Sequence, residues 1–88
     1  MLDDDKRQLL TNRLKSIEGH IRGIERMVEE DAYCDNVLHQ LSAIQAALDA
    51  VGKQLLENHL RTCVVERLQA GELEVVDELL VTIKALRK

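Results

Sequence analysis

A seam of aliphatic side chains, spaced alternately four and three residues apart, is the feature that most constrains how this chain can fold. The seam occupies the first third of the sequence and comprises Leu10, Leu14, Ile17, Ile21, Ile24 and Val28. Such spacing is typical of a helix packed in a coiled coil or helical bundle. Because the 88 residues include no proline, phenylalanine or tryptophan, long uninterrupted helices are favoured throughout. The sequence therefore predicts an all-α fold in a single domain spanning residues 1–88.

Three helices are predicted from the apolar periodicity and the capping residues. The first runs from about Asp5 to Glu30, with acidic residues at its positive end. The second runs from about Ala32 to Ala70, with Asp31 as its N-cap and Gly71 as the residue that ends it. The third runs from about Leu73 to Arg87. Since a chain this short buries a thin core, we expect oligomerisation to supply further buried surface.

Charge is distributed unevenly along the chain. The net charge is −4, and residues 27–52 carry five acidic groups but no lysine or arginine. An acidic balance argues weakly against nucleic acid as a partner. The basic residues of the first and last thirds nevertheless allow a local basic face, which an oligomer would repeat.

Several classes of protein are disfavoured by what the sequence lacks. No signal peptide or membrane-spanning run is predicted, because acidic residues 3–5 interrupt the first apolar residues. We therefore expect a cytoplasmic protein whose two cysteines are thiols. No triad-like set, glycine-rich phosphate loop or pair of cleft carboxylates is recognisable, so we expect no enzymatic activity.

Two cysteines and a histidine have spacings that suit a metal site. His59 and Cys63 are four residues apart and lie on one helix face. Cys34 precedes His59 by 25 residues, or roughly 37 Å of helix, so the two cannot share a metal within one chain. At about 100° per residue, however, Cys34 points within about 20° of both other residues. An antiparallel copy of the second helix would place Cys34 of one protomer beside His59 and Cys63 of its partner, giving two equivalent sites.

The identity of the ligand remains open at this point. Two thiolates and one imidazole suit Cu(I) in a three-coordinate site. Zn(II) would need a fourth ligand, for which Glu78, Tyr33 or a water are candidates. The same spacing also fits small buried thiols and a packed core histidine without any metal.

Motifs spread over nearly the whole chain resemble those of a known family. They are Asn-Arg-Leu-Lys at 12–15, Gly-His-Ile-Arg-Gly-Ile at 19–24, Arg-Met at 26–27, Asp-Ala-Tyr-Cys at 31–34, Gln-Leu-Ser-Ala-Ile-Gln-Ala-Ala-Leu at 40–48, and His59-Leu60 with Cys63. Together they resemble the copper-sensing operon repressor family, the CsoR/RcnR-like repressors.

The resemblance implies a fold, an assembly and a function. It implies a three-helix protomer, an antiparallel dimer forming a four-helix bundle, and a dimer-of-dimers tetramer. It also implies a repressor that binds operator DNA when metal-free and releases it on binding Cu(I), controlling copper resistance or efflux genes. The ligand set Cys34, His59 and Cys63 matches the Cu(I) branch, since the nickel and cobalt branch is expected to carry histidine in place of Cys63.

Further roles are implied only by the resemblance. Tyr33 and Glu78 correspond to side chains that couple to the ligand histidine, and Glu78 does so only if one residue is deleted near Gly71. Arg13 and Lys15 on the first helix match basic positions that contact DNA, and Lys53 falls near another on the second helix.

Two alternative functions are retained. One is a thiol or persulfide sensor of the same family, in which Cys34 and Cys63 of different chains become linked. His59 argues against this, because such chemistry needs no imidazole. The other is a helical oligomerisation module that binds no ligand.

Overall fold

The computed structural model describes residues 2–86, which are helical over most of their length. The helices are α1 (Asp4–Glu29), α2 (Cys34–His59), α3 (Val65–Gln69) and α4 (Val75–Leu86), and a π-helical turn (Leu60–Val64) joins α2 to α3. No strand occurs within residues 2–86. The predicted all-α fold is confirmed.

The start of α1 follows the capping chemistry of its acidic residues. The side chain of Asp3 accepts a hydrogen bond from the backbone N–H of Lys6 at 2.8 Å, as an N-cap residue does. Asp4 and Asp5 occupy the first turn, where their charge complements the helix dipole. The helix therefore begins at Asp4, one residue before the predicted start.

Asp31 ends α1 and does not cap α2, so the predicted N-cap is wrong. Its φ is +55°, the left-handed conformation that follows many helices. The N–H of Asp31 bonds to the carbonyl of Val28 at 3.2 Å, and that of Ala32 bonds to Met27 at 2.9 Å. This pair of bonds closes the end of α1, so α2 begins only at Cys34 and not at Ala32.

Gly71 ends α3 in the same way, as the sequence predicts. Its φ is +81°, which costs glycine no steric penalty. The N–H of Gly71 bonds to the carbonyl of Leu68 at 3.0 Å, and that of Glu72 bonds to Arg67 at 2.9 Å. The predicted third helix from Leu73 is shorter than expected, since α4 runs from Val75 to Leu86. The predicted end at Arg87 lies outside the described residues.

The predicted second helix is interrupted by the π-helical turn. The hydroxyl of Thr62 donates to the carbonyl oxygen of Asn58 at 2.8 Å, the acceptor that the amide of residue 62 uses in an α-helix. Such back-bonding by threonine competes with the backbone and distorts helices. The helical path from residue 34 to residue 69 is thus retained, with a change of pitch at residues 60–64.

Contacts divide the chain into two compact units, which we call the N-terminal unit (residues 3–51) and the C-terminal unit (residues 52–86 with Leu2). In the N-terminal unit the aliphatic seam of α1 divides into two sets. Its buried half, together with two residues of α2, comprises Leu10, Ile17, Ile24, Ile44 and Val51. The other half is 41–61% exposed and comprises Leu14, Ile21 and Val28. One face of α1 therefore packs within the unit, and the adjacent face does not.

In the C-terminal unit, α4 runs antiparallel to the preceding helical segment. A Cβ added at Gly52 would lie 3.7 Å from Cδ2 of Leu86 near the end of α4. At the other end, Arg67 of α3 contacts Glu78 near the start of α4. Val64 and Val75 are buried, and Val75 is fully so. No helix within residues 2–86 has the length and apolarity that crossing a membrane requires.

Candidate metal centre

His59 and Cys63 lie at the junction of α2 with the π-helical turn. His59 is the last residue of α2, and Cys63 lies within the turn. Both are half-buried. In an α-helix, residues four apart lie on one face, about one turn from each other. Hydrogen bonding to the fifth residue widens the turn that contains Cys63.

The thiol of Cys63 has a polar neighbour that favours its charged form. Thr62 Oγ1 lies 3.7 Å from the Sγ of Cys63. The hydrogen bond from Thr62 lowers the pKa of Cys63, while partial burial and the charge of Glu66 act in the opposite direction. Since the thiolate is the form that binds metals, the lowered pKa makes Cys63 a better ligand.

Cys34 is the first residue of α2 and belongs to the N-terminal unit. It is a free, exposed cysteine. It borders a shallow groove whose other lining residues are Val28, Asp31, Ala32, Val37 and Leu38. Its side chain is thus open to a partner molecule.

The described residues of one chain do not assemble a metal cluster by themselves. Within residues 2–86, no three histidine, cysteine or carboxylate side chains come together as a metal cluster. Cys34 and His59 stand at opposite ends of a 26-residue helix, which is about 39 Å long.

Neither Tyr33 nor Glu78, which the resemblance implies as contacts of the ligand histidine, bonds to His59 within residues 2–86. Tyr33 precedes α2 and is 73% exposed. The carboxylate of Glu78 accepts a hydrogen bond from the guanidinium of Arg67. Within residues 2–86 no hydrogen bond joins Glu78 to His59.

Sequence reasoning missed Arg67, which lies four residues after Cys63 and hence on the same side of the helical path. That spacing was a detectable signal, but its partners Glu72 and Glu78 lie across a turn whose geometry the sequence did not define.

The candidate DNA-contacting residues are all exposed. Arg13 and Lys15 lie on α1, and Lys53 lies on α2 within the C-terminal unit. Arg13 borders a groove of the N-terminal unit that is also lined by Ser16, Ile17, His20, Ala47 and Ala50. The basic groups of Arg13 and Lys15 are therefore accessible to a phosphate backbone.

The two remaining histidines have ordinary polar partners. The ring of His20 shares a hydrogen bond with the side-chain oxygen of Gln40 at 2.5 Å. His39 lies 3.6 Å from the carboxylate of Asp35, one turn earlier on α2. Neither contact gathers a set of metal ligands.

Comparison with known proteins identifies the family. A family model described as "Metal-sensitive transcriptional repressor" matches residues 6–85. The chain belongs to this family. Its members are repressors, which confirms both the resemblance found in the motifs and the expectation that the chain is not an enzyme.

Individual members of the metal-sensitive repressor family are similar over most of their length. The copper-sensing transcriptional repressor CsoR of Bacillus subtilis is 48% identical over 80 residues, which are 90% of this chain and 79% of that protein. The protein of the same name from Mycobacterium tuberculosis strain H37Rv is 40% identical over 80 residues, or 90% of this chain and 67% of that one.

Solved structures of two family members have the same fold. The crystal structure of the copper-sensing repressor CsoR with Cu(I) from Geobacillus thermodenitrificans matches with a TM-score of 0.93 and 42% identity, covering 100% of this chain and 93% of that one. The nickel-responsive transcriptional regulator InrS matches with a TM-score of 0.76 and 38% identity, covering 90% of each chain.

Proposed function

We propose that this protein is a Cu(I)-responsive transcriptional repressor that binds operator DNA when metal-free and releases it when Cu(I) is bound. The observation that carries the proposal is the donor set, Cys34, His59 and Cys63, on a chain whose fold matches that of a Cu(I)-bound repressor with a TM-score of 0.93. Control of copper resistance or efflux genes follows as the role of such a repressor.

The chemistry of the donors fits Cu(I). Thiolate sulfur is a soft ligand that selects Cu(I), whereas sites for Cu(II) or Ni(II) favour nitrogen and oxygen ligands in a square-planar arrangement. The hydrogen bond from Thr62 lowers the pKa of Cys63 and so favours the thiolate, which is the form that binds metals. Within the described residues, neither Cys34 nor Cys63 forms a disulfide. Two such sulfurs with one imidazole suit Cu(I) better than the other candidate metals.

We propose that each site is shared between two protomers, with Cys34 from one and His59 and Cys63 from its partner. The support comes from an apolar stripe on α2, whose leucines are 40–61% exposed and comprise Leu38, Leu41, Leu48 and Leu55. An antiparallel α2 of a second copy would bury this stripe around a two-fold axis near residues 47–48. The same operation would bring the N-terminus of one α2 to the C-terminus of the other.

A second apolar face supports assembly beyond the dimer. The exposed half of the α1 seam borders a groove lined by Ile21, Ile24, Val28, Leu41 and Ile44. An unpaired apolar face of this kind marks a site of association. We therefore propose the dimer-of-dimers tetramer as the assembly that binds DNA.

The proposed release of DNA depends on a contact between the ligand His59 and α4. Cys34, Cys63 and one ring nitrogen of His59 would hold Cu(I), which would supply a soft, positively charged centre. The other ring nitrogen of His59 would donate a hydrogen bond, for which Glu78 and Tyr33 are the proposed partners. Since α4 carries Glu78, this contact would draw α4 against the ligand turn and alter the basic surface.

The proposed DNA contacts are made by Arg13, Lys15 and Lys53. Basic side chains on an oligomer contact phosphates and position the protein on the duplex. Because the chain carries a net charge of −4, binding relies on few local cations and should weaken steeply with salt.

An anaerobic Cu(I) titration with an operator-binding readout tests the proposal. The probe is a fluorescent duplex selected from random DNA by the metal-free protein. We expect one Cu(I) per protomer and at least a tenfold loss of operator affinity. His59→Ala should retain Cu(I) through the two thiols but fail to release DNA. Stoichiometric Cu(I) binding with unchanged operator affinity in the wild type would contradict the proposal.

A thiol sensor is the second candidate, favoured by the lowered pKa of Cys63. In that case an inorganic polysulfide would release the operator from the wild type and from His59→Ala alike. If the protein is a Cu(I) repressor, His59→Ala should no longer release the operator in response to Cu(I), whereas the wild type should.

A further inference from the structure

Arg67 connects the ligand turn to α4. It follows Cys63 by four residues, as Cys63 follows His59, so each lies about one turn after the one before it. Its guanidinium bonds to the carboxylate of Glu78 through Nη1 and lies 3.8 Å from that of Glu72 through Nε. With its side chain only 33% exposed, Arg67 is the most enclosed member of this charged group.

The backbone holds Arg67 in place. Its carbonyl oxygen accepts a hydrogen bond from the N–H of Glu72 at 2.9 Å, in the turn that ends α3. Glu78 lies in the first turn of α4. The Arg67–Glu78 contact therefore fixes the start of α4 against the end of α3.

Within residues 2–86 the carboxylate of Glu78 accepts a hydrogen bond from Arg67 and none from His59. A hydrogen bond donated by the imidazole N–H of His59 would need the same carboxylate as its acceptor. The two contacts therefore compete for Glu78.

We propose that Arg67 is a positioning residue that withholds Glu78 from His59 and thereby lowers the Cu(I) affinity of the repressor. This inference rests on the proposed function and on Glu78 as the partner of His59. Two arrangements of the chain compete: one pairs Glu78 with Arg67, and the other pairs it with the ligand histidine. Arg67 favours the first arrangement, so it sets how much Cu(I) is needed to reach the second.

The test compares the Cu(I) affinity of the DNA-free protein and of its Arg67→Ala variant by competition with a chromophoric Cu(I) chelator. We expect Arg67→Ala to bind Cu(I) about twofold to fivefold more tightly, the range that a partly exposed ion pair can supply. In a Glu78→Gln background the same substitution should have no effect, because the competing carboxylate is gone. Arg67→Lys, which keeps the charge, should remain within twofold of the wild type.

A matched control separates this effect from the loss of a nearby positive charge. Arg61→Ala removes an exposed arginine two residues before Cys63, and we expect its Cu(I) affinity to stay within twofold of the wild type. Thermal unfolding of each metal-free variant monitors folding. A purely structural Arg67 would lower the melting temperature and leave the Cu(I) affinity unchanged or weaker.

Three outcomes would overturn the inference: unchanged or weaker affinity in Arg67→Ala, the same increase in the Glu78→Gln background, or the same increase in Arg61→Ala. Failure of the proposed function is seen separately. It would appear as a wild type that does not bind Cu(I) or does not release operator, before any variant is compared.

Discussion

Thr62 has two acceptors for a single hydroxyl proton. The carbonyl oxygen of Asn58 lies at 2.8 Å, and the Sγ of Cys63 lies at 3.7 Å. The nearer carbonyl is the better partner while Cys63 is a neutral thiol. Ionisation of Cys63 makes its sulfur a charged acceptor, to which hydrogen bonds are stronger. One side chain therefore contacts both the backbone of the ligand turn and the sulfur of a proposed ligand.

We predict that Thr62→Val raises the pKa of Cys63 towards its ordinary value, because the hydrogen bond that favours the thiolate is lost. The measurement is the pH dependence of iodoacetamide alkylation in a Cys34→Ala background, where Cys63 alone reacts. The midpoint should move to higher pH, and the rate at neutral pH should fall. An unchanged or lower midpoint would show that Thr62 does not stabilise the thiolate.

The lowered pKa of Cys63 also determines how its contribution to the free energy of unfolding changes with pH. A thiol whose pKa is lower in the folded state than in the unfolded state stabilises the fold above its unfolded pKa. That contribution is lost as the pH falls through the folded pKa. Cys63 should therefore add to stability above its unfolded pKa, and Thr62→Val should reduce that gain.

At the scale of single residues, the sequence predicted those features that follow from the spacing of residues along one helix. The interval between His59 and Cys63 was enough to place them on one helix face. Asp31 was misassigned because aspartate is common both as an N-cap and, less often, with a positive φ. Arg67 was missed because its partner Glu78 is brought near only by the turn after Gly71.

Among the elements, α4 has one face anchored in the C-terminal unit and another face exposed. Val75 at its start is fully buried, whereas Val81 is 69% exposed.

The predicted continuous helix from Ala32 to Ala70 was correct in extent to within a few residues. The π-helical turn within it is a local change of hydrogen bonding, which apolar periodicity does not register.

We predict that Val75→Ala lowers the free energy of unfolding by about 2 kcal/mol, since it removes two buried methyl groups and leaves a cavity. The matched variant Val81→Ala should change it by less than about 0.5 kcal/mol, because the side chain is mostly exposed. Urea unfolding at one fixed protein concentration measures both. Equal losses in the two variants would contradict the burial that distinguishes them.

At the scale of the whole molecule, the described residues leave two aliphatic surfaces exposed. The leucine stripe of α2 and half of the α1 seam both remain exposed. The sequence predicted the all-α class and the family, because heptad spacing and the motifs are properties of one chain. Apolar spacing in one chain does not define how the protomers assemble, because assembly depends on how the exposed surfaces of two copies fit together.

We predict that Leu48→Glu disrupts the dimer. Leu48 is 45% exposed and lies beside the proposed two-fold axis, where two introduced carboxylates would meet and repel each other. Gln45→Glu adds the same charge at a neighbouring exposed polar position and serves as the control. Sedimentation equilibrium should show a smaller species for Leu48→Glu only. An unchanged mass for Leu48→Glu would place the interface elsewhere.

The central claim is that each Cu(I) site takes Cys34 from one protomer and His59 and Cys63 from its partner. The most direct measurement uses two inactive variants, Cys34→Ala and Cys63→Ala, co-expressed with different tags and purified as mixed oligomers. Each variant alone should lack high-affinity Cu(I) binding by chelator competition. A mixed dimer has one site that lost both cysteines and one intact site, so the account predicts that binding returns, at up to one Cu(I) per mixed dimer. If the mixed oligomers bind no better than either variant alone, the site is not shared between protomers.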